Sequence, residues 1–501
     1  MALSDFIADT SVQSKRTALA DAHITARADG ENNFYGFTST SGFTTDTATS
    51  MGQLITKLSA LTPTANAVIK CQWNGVSSAA SRAFITNASG LSANGSVDWG
   101  YNRPNCKVQI IPDTGYTPIL QGTFNSGGNN TFEIDGAHWI EFKNLEFQGC
   151  ITDFRRSATY PGTAMAAFNG CTFKDCTDGA LRAVTARSIH TADCVFDNCQ
   201  SGIIGAAEFR RMWRNVFVNH RTDDINGIRG YIGFAVNWTA HTWLFGNLVY
   251  NMSTINLGTA AHLDFGQIDH KSGTDTDNPA VYSTLSEFNI ADLNNATYNG
   301  DTQFHFGNTS EAWDGEWCVH NNIALINAYH AAMVADANDN AHKYVYRNMF
   351  IPAGNRGDTA NTPWVRGKRL TAGTGSLNVS ENYLWDDASN TGRVNGENFT
   401  GNRHVNFATG AASGDRPENL FTFGVGFGTN ANGHRSYDFG TTGMSKVAAR
   451  AQILANLKPI GGWRVNNYGP VNPDLFPVDP LTLAVGAPNV GDKVTLSLTV
   501  A

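Results

Sequence analysis

Charged side chains and long apolar runs are both scarce in this sequence. Asp, Glu, Lys and Arg make up 16 % of the 501 residues, and 43 acidic against 35 basic residues give a net charge of −8. This balance argues against nucleic acid or an anionic membrane as the partner. No stretch approaches the roughly 18 apolar residues that a membrane span needs, so we expect no membrane insertion.

The amino-terminal residues also lack the features of a secretory signal. Residues 1–23 contain no basic start, no apolar core and no small-residue cleavage site. We therefore expect a protein made in a reducing cytoplasm, where structural disulfides are rare.

Glycine and short strand-like runs, by contrast, are plentiful. The chain has 50 glycines, and aromatic or β-branched runs alternate with Asn, Gly, Asp and Ser through its middle. This texture is typical of an all-β protein. A chain of this length is either divided into domains or built from a repeat that grows without widening its core.

A repeat is visible when polar residues that precede an apolar triplet are aligned. The aligned polar residues are Asn144, Gly170, Asp193, Asn215, Asn247, Asn289, Asn322, Asn348 and Asn382. The shortest intervals are 22 to 26 residues, which suits a coil of short strands and leaves no room for paired helices. The spacing predicts a parallel β-solenoid with the polar residues at equivalent corners, where side-chain amides of stacked coils bond one another. The first and third residues after each corner should face inward, with Asp292 as an exception.

The same alignment accounts for the cysteines between residues 171 and 199. It stacks Cys171 over Cys194, Cys150 over Cys176 over Cys199, and Phe147 over Phe173 over Phe196. A zinc site would need four thiolates converging at about 2.3 Å from the metal, whereas these cysteines alternate with aromatic residues in strand-like runs. We therefore predict a stacked cysteine interior and no metal site.

Both ends depart from the repeat. Residues 49–59 predict an amphipathic helix that covers the first coil's edge, and residues 4–23 predict one or two helices for attachment. After about residue 402 the repeat fades into a helical run, 445–457, and a terminal alternating strand. The predicted organisation is an attachment segment (1–48), a solenoid (49–402) and a carboxy-terminal capping or oligomerisation segment (403–501).

On the pattern of residues 108–149 and the coils that follow, the chain resembles the right-handed parallel β-helix proteins of the pectate-lyase-like class, which includes polysaccharide lyases and phage tailspikes. The resemblance spans roughly residues 49–387 and implies a right-handed, single-stranded parallel β-helix. The missing export signal and the extra end segments favour the tailspike branch. That branch implies a homotrimer assembled in the host cytoplasm, with other virion proteins bound through the amino-terminal segment.

Three consecutive intervals are longer than the rest: 32 residues from Asn215 to Asn247, 42 from Asn247 to Asn289, and 33 from Asn289 to Asn322. The extra residues predict long loops at 219–236, 253–281 and 294–316, which adjacent coils place side by side as a groove wall. Ionisable and aromatic residues gather there, a mixture that suits sugar hydroxyls and pyranose faces.

Two mechanisms fit these residues. A glycosidase needs two carboxyl groups roughly 5 to 5.5 Å apart for retention or 6.5 to 9.5 Å for inversion, and Asp223 or Asp224 facing Asp264 is the predicted pair. A lyase needs a base and a cation, for which His262 or Lys271 would act with Arg221 or Arg229. The Arg-His-Gly surroundings of alginate and chondroitin lyases are missing, so we expect neither their calcium nor another cofactor.

The stretch His262-Leu-Asp264-Phe-Gly-Gln267 resembles an H-x-D-x-x-Q pattern of some β-helix proteins that act on polysaccharides. The predicted sugar-contacting residues are Arg221, Arg229, Gln267, Lys271, His305 and Trp313. Structural alternatives stand beside them: Asp223-Asp224 as a solvated loop pair, and His305, between two Phe residues, as a buried structural histidine. The sequence thus predicts a spike that binds and hydrolyses a bacterial surface polysaccharide, with a non-catalytic adhesin or a lyase as alternatives.

Overall fold

The structure of the chain is a computed structural model. It describes residues 34–78, 97–98, 105–121, 132–135, 139–149, 152–155, 165–176, 179–199, 201–219, 230–236, 241–250, 263–269, 282–293, 302–308, 315–326, 333–337, 342–346, 348–352, 365–369, 376–380, 382–385, 398–400, 403–405, 428–429, 435–436, 443–445, 448–449 and 452. This part contains long parallel sheets, so the all-β prediction is confirmed. None of its helices is long and apolar enough to cross a membrane.

The first ladder is a series of parallel strands that pair in chain order, with Thr44 at its start. Its strands are β1 (Thr44–Ala48), β2 (Asn66–Cys71), β5 (Lys107–Pro112), β8 (Ile140–Lys143), β11 (Met165–Asn169), the second halves of β13 (Gly179–Ala192) and β15 (Ser201–Trp213), β18 (His241–Phe245), β21 (Tyr282–Glu287), β24 (Gly315–His320), β27 (His342–Tyr346), β30 (Ser376–Ser380) and β32 (Asn398–Thr400).

The second ladder is a 12-stranded parallel sheet of short strands. Its strands are β3 (Gly75–Ser78), β6 (Pro118–Gln121), β9 (Glu146–Gln148), β12 (Thr172–Lys174), β14 (Val195–Asp197), β16 (Val216–Val218), β19 (Leu248–Tyr250), β22 (Ile290–Asp292), β25 (Ile323–Ile326), β28 (Met349–Pro352), β31 (Tyr383–Trp385) and β33 (Arg403–Val405). Each strand follows a strand of the first ladder, after a two-residue corner from β9 onwards, so the two ladders advance together along the chain.

The third ladder shares β13 and β15 with the first, which joins both into one 21-stranded sheet. Its strands are β4 (Val97–Asp98), β7 (Phe132–Asp135), β10 (Thr152–Arg155), the first halves of β13 and β15, β17 (Gly230–Val236), β20 (Leu263–Asp269), β23 (Thr302–Asn308), β26 (Met333–Ala337) and β29 (Val365–Arg369). A register shift between Ala183 and Ala186 separates the two halves of β13. An antiparallel pair, β34 (Gly428–Thr429) and β35 (Arg435–Ser436), follows towards the carboxy terminus.

Helix α1 (Met51–Ala60) lies between β1 and β2 and confirms the helix predicted over residues 49–59. Its amino terminus is capped because the Gln53 backbone N–H donates to Ser50 Oγ over 3.2 Å, while Gln53 Oε1 accepts the Thr49 N–H over 2.9 Å. Met51, Leu54 and Leu58 are buried in the main core, so the helix covers its amino-terminal end.

Aromatic rings stack along the interior of the second ladder. Phe147, Phe173, Phe196 and Phe217 lie in one row, with successive ring centroids 5.0, 4.9 and 4.7 Å apart and planes within 12°. The predicted phenylalanine stack is confirmed and continues one coil further. Offset parallel rings at this distance are favourable, and the rings belong to the main core.

Six buried asparagines form a second interior row, placed directly before the short strands. They are Asn215, Asn247, Asn289, Asn322, Asn348 and Asn382. The Oδ1 of Asn215 accepts the backbone N–H of Cys194 over 3.0 Å, and each later Oδ1 accepts the backbone N–H of the asparagine one coil earlier, as Asn289 does from Asn247 over 2.9 Å. Each Nδ2 donates to a carbonyl oxygen, which for Asn289 is that of Leu244 at 3.2 Å. The predicted amide stacking is therefore confirmed for these residues.

Cys171 and Cys194 occupy the equivalent position in two earlier coils. Their thiols donate to the carbonyl oxygens of Phe142 and Phe168, each over 3.4 Å. The cysteines thus make the same bond as the asparagine amides, with a weaker donor. Cys176 and Cys199 are also buried, and each lies two residues after paired strand ends. Their stacking and that of Cys171 over Cys194 are confirmed, while Cys150 lies outside the described residues.

The predicted alignment was wrong by one residue at Asn215. Val195 pairs with Val216 and Phe196 with Phe217, so Asn215 matches Cys194 and not Asp193. The residue that matches Asp193 is Arg214, and both have a left-handed backbone, with φ of 54° and 52°. Asn is favoured at both of these neighbouring positions. It tolerates the left-handed backbone of the corner residue, and at the next position its amide forms the hydrogen bonds of the row, so the sequence alignment did not distinguish the two positions.

The same shift explains Asp292, which the alignment treated as an inward-facing exception. Asp292 pairs with Leu325, and Ala291, one residue earlier, belongs to the main core. In the asparagine-bearing coils, the second residue after the asparagine faces inward. Asp292 therefore lies on the outer face of its strand.

Residues Phe34–Phe37 form a strap across the outer face of the first ladder. Glu141, 2 % exposed, accepts the backbone N–H of Phe37 over 3.1 Å and the Nδ2 of Asn169 over 2.7 Å. The Tyr35 ring stacks on Trp213 with centroids 5.0 Å apart. Through these contacts the strap packs on strands of the sheet that lie far from it in the sequence.

Candidate functional site

The three long intervals contain strands of the third ladder rather than only loops. β17 lies within the predicted loop 219–236, β20 within 253–281 and β23 within 294–316. The expectation of loops was therefore wrong over these strands, because a coil with a third strand needs the additional residues. The three strands pair with one another in order, so these parts of the three stretches do lie side by side.

One row across these strands combines a phenol, a carboxyl and an amide residue. Tyr231 pairs with Asp264, and Asp264 pairs with Gln303. Neighbouring strands lie about 4.8 Å apart, so the row spans roughly 10 Å. Gln267, the other predicted residue on β20, pairs with Ala235 and Phe306. The register places Asp264 and Gln267 on the central strand of the three.

The other predicted residues on these stretches lie outside the described residues. They are Asp223, Asp224 and His262 among the catalytic candidates, and Arg221, Arg229, Lys271 and Trp313 among the sugar-contacting candidates. The carboxylate pair of Asp223 or Asp224 with Asp264 therefore stays a prediction. The adjacency of β17 and β20 is the only element of that hypothesis whose geometry is described.

His305 on β23 lies in the interior, with 1 % of its surface exposed. Its Nε2 is 2.9 Å from Ser286 Oγ, and its ring packs against Phe304 with centroids 4.4 Å apart. Burial lowers the pKa of His305 to about 3, while a backbone hydrogen bond with Gly266 opposes the shift. This environment supports the structural alternative for His305, and its predicted contact with sugar has no support from its position.

A buried polar cluster on the first ladder escaped the sequence interpretation. Glu287 and His320 are both fully buried, and His320 Nε2 lies 2.7 Å from Glu287 Oε2. Trp243 Nε1 donates to the other carboxylate oxygen over 3.0 Å. His320 Nδ1 is 2.9 Å from Asn321 Oδ1, and its ring stacks on Tyr346 with centroids 4.8 Å apart.

This cluster joins consecutive strands of the first ladder, because Glu287 pairs with His320 and His320 with Tyr346. The polar side-chain atoms of Glu287 and His320 have hydrogen-bond partners, which buried polar groups require. Full burial keeps the cluster from direct contact with a polymer, so we interpret it as a structural hydrogen-bonded pair. The sequence did contain a signal for this cluster, because Glu287 and His320 each lie two residues before one of the six buried asparagines.

The cysteines in the described part of the chain do not provide a nucleophile. The seven that are described are buried and free of disulfides. Burial raises the pKa of the Cys194 thiol well above its ordinary value, and the neighbouring Cys171 adds to the shift. Such thiols react slowly because the thiolate is the nucleophile. No group of three or more His, Cys, Asp or Glu residues in the described part is arranged to hold a metal ion.

The described geometry therefore offers one candidate functional region, the three adjacent strands that we call the β17–β20–β23 face, with Asp264 on the central strand. Comparisons of the chain with protein-family models, with curated proteins and with solved structures find no match.

Proposed function

We propose that this chain is a right-handed parallel β-helix that serves as a phage-type tail or particle spike, binds a bacterial surface polysaccharide and hydrolyses its glycosidic bonds. The observation that carries the proposal is the adjacency of β17, β20 and β23, with Asp264 in register with Tyr231 and Gln303. The proposal includes a homotrimer, attachment to other particle proteins through the amino-terminal segment, and no cofactor.

Three parallel ladders that advance together support the solenoid part of the proposal. One coil contributes a strand to each ladder, as β17, β18 and β19 do before β20, β21 and β22 continue the same order. Crossovers between parallel strands are right-handed in about 98 % of cases. A stack of such coils gives an elongated flank, which suits an extended polymer.

The residue types on the β17–β20–β23 face support a sugar ligand. Carboxylate and amide groups such as Asp264 and Gln303 bond hydroxyls, and a phenol such as Tyr231 adds an apolar face. In the proposed reaction one carboxylic acid protonates the leaving oxygen, and the other carboxylate acts as nucleophile or activates water. Asp264 would act with Asp223 or Asp224, since the strand after those residues pairs with β20.

The test is incubation of the full chain with purified capsular polysaccharides and lipopolysaccharides, with new reducing ends as the measurement. We expect Asp264→Asn to lower the cleavage rate by about 100-fold or more, because a positioned acid or base contributes that much. Asp269→Asn is the matched control, because it makes the same change five residues along the same strand. The control should cleave close to the parent rate.

Other outcomes separate the alternatives. Retention of polysaccharide without new reducing ends would identify an adhesin, and absorbance from an unsaturated uronate would identify a lyase. Undiminished cleavage by Asp264→Asn would remove Asp264 from the site while leaving hydrolysis intact. Absence of both binding and cleavage across the panel would contradict the proposed function.

A further inference from the structure

The outer face of the second ladder changes from polar to apolar part way along the molecule. The outer residues of β9, β12 and β14 are Glu146, Gln148, Thr172, Lys174, Val195 and Asp197. Those of the following strands are Val216, Val218, Leu248, Tyr250, Ile290, Asp292 and Ile323. We call this second set the apolar stripe.

The apolar stripe is covered. Val216 and Ile290 are 1 % exposed and Leu248 and Ile323 0 %, although they alternate with Phe217 and its interior equivalents and so point away from the main core. On the earlier strands, the outer residues Thr172 and Val195 keep intermediate exposure. Outward apolar residues become this buried only when another segment packs on them.

The carboxy-terminal part of the chain touches this stripe. Tyr250 Oη donates to the Met444 carbonyl oxygen over 2.9 Å, which joins residues 194 positions apart. A helical turn begins there, since the Ala449 N–H donates to the Ser445 carbonyl oxygen over 2.8 Å and the Ala448 N–H to Ser445 Oγ over 3.3 Å. Ala449 is fully buried and Ala448 exposed, so this turn presents one face to the protein.

The sequence after this turn is also apolar at regular intervals. Ala449, Ile453 and Leu457 recur every four residues, the spacing of an amphipathic helix.

We propose that the turn formed by Met444, Ser445, Ala448 and Ala449 is an intramolecular cover that docks on the apolar stripe of the same chain and keeps that stripe from pairing with other molecules. The occupant is this segment rather than a second copy, because Tyr250 and Met444 of one chain are already bonded. Large apolar patches on a soluble protein otherwise promote association. The proposal does not depend on polysaccharide binding.

The test uses two adjacent alanines of the full chain. Ala449→Glu places a charge on the buried face, and Ala448→Glu makes the same change on the exposed face. Limited trypsin digestion with mass spectrometry measures cleavage after Lys446 and Arg450. We expect Ala449→Glu to accelerate this cleavage at least about 10-fold, as loss of about 1.4 kcal/mol of docking free energy would, while Ala448→Glu cleaves like the parent.

Release of the cover should also expose the stripe. Ala449→Glu should bind more of a hydrophobic dye than Ala448→Glu and should self-associate with rising concentration in light scattering. Equal cleavage and equal dye binding by the two variants, with parent-like circular dichroism, would overturn the proposal. If Ala449→Glu fails to fold, Tyr250→Phe decides: removal of one hydroxyl should accelerate cleavage several-fold, and unchanged cleavage would contradict docking at this site.

Discussion

At the scale of single residues, one position per coil decides how the coils are joined. Before the short strand this position contains Leu145, then Cys171 and Cys194, and then the six ladder asparagines. An asparagine side chain both accepts and donates, so it satisfies a corner N–H and a carbonyl that would otherwise be buried without a partner. A cysteine satisfies the carbonyl alone and leaves the N–H to other partners.

We expect Asn289→Ala to lower the free energy of unfolding by about 3 kcal/mol. The substitution removes the acceptor of the buried Asn247 N–H and the donor to the Leu244 carbonyl, and each unsatisfied buried group costs about 1 to 3 kcal/mol. Chemical denaturation measures the change. Asn66→Ala, at the exposed first position of β2, is the control and should cost below about 1 kcal/mol; equal losses would refute the importance of the asparagine row.

The buried His305 should make the protein less stable in acid. Burial lowers the pKa of His305 to about 3 from the ordinary value of 6.5, so between these pH values the unfolded chain binds one more proton than the folded chain. The free energy of unfolding should therefore fall by up to about 1.4 kcal/mol per pH unit below pH 6.5. Denaturation of the parent and of His305→Gln at pH 7 and pH 5 measures this contribution.

The variant should lose roughly 2 kcal/mol less than the parent between these two pH values, because glutamine does not titrate. A matching pH dependence in both proteins would show that His305 is not the responsible group.

At the scale of elements, the strap Phe34–Phe37 shows how a short segment is held because its backbone lies close to polar side chains of the sheet. Gly36 has φ of +107°, and a Cβ there would lie 2.5 Å from Asn169 Nδ2 and 2.6 Å from Glu141 Oε1. Glycine is required for both reasons, since other residues rarely adopt this φ and the space is filled by the groups that bind the strap.

We expect Gly36→Ala to destabilise the protein more than Gly42→Ala. Gly42 has a φ of +83° but nothing within 4 Å of a Cβ, so its substitution should cost only the backbone penalty of about 1 kcal/mol. Gly36→Ala should add a steric term and cost about 2 kcal/mol or more. Thermal unfolding of both variants measures the difference, and equal shifts would mean that the strap detaches at little cost.

Helix α1 shows which elements a sequence predicts well. Ser50 and Gln53 form its capping pair, and Met51, Leu54 and Leu58 recur at helical spacing, so all the information is local. The strands of the third ladder show the opposite. β20 and β23 share one repeated residue type, the stacked rings of Phe265 and Phe304 with centroids 4.9 Å apart. The paired rows of β17, β20 and β23 otherwise differ in residue type, so the sequence pattern does not mark them as strands.

At the scale of the whole molecule, the repeat was predictable because stacked side chains of one kind recur at coil spacing, as Phe147, Phe173 and Phe196 do. The adjacency of the three long stretches followed from that repeat. Their strand content did not, and neither did the Glu287–His320 cluster, whose partners are 33 residues apart in the chain. Long-range polar pairs leave little local pattern, whereas a ladder repeats its pattern in every coil.

The asparagine row also gives the molecule a mechanical direction. The Oδ1 of each asparagine accepts a hydrogen bond from the preceding coil, so each coil is held by the coil that follows it, as far as Asn382. A force applied at the carboxy-terminal end would peel coils in sequence and lengthen the chain in steps of one coil. A force shared across all the asparagines would meet their combined resistance, so a hydrogen-bonded row of this kind withstands shear better than peeling from its end.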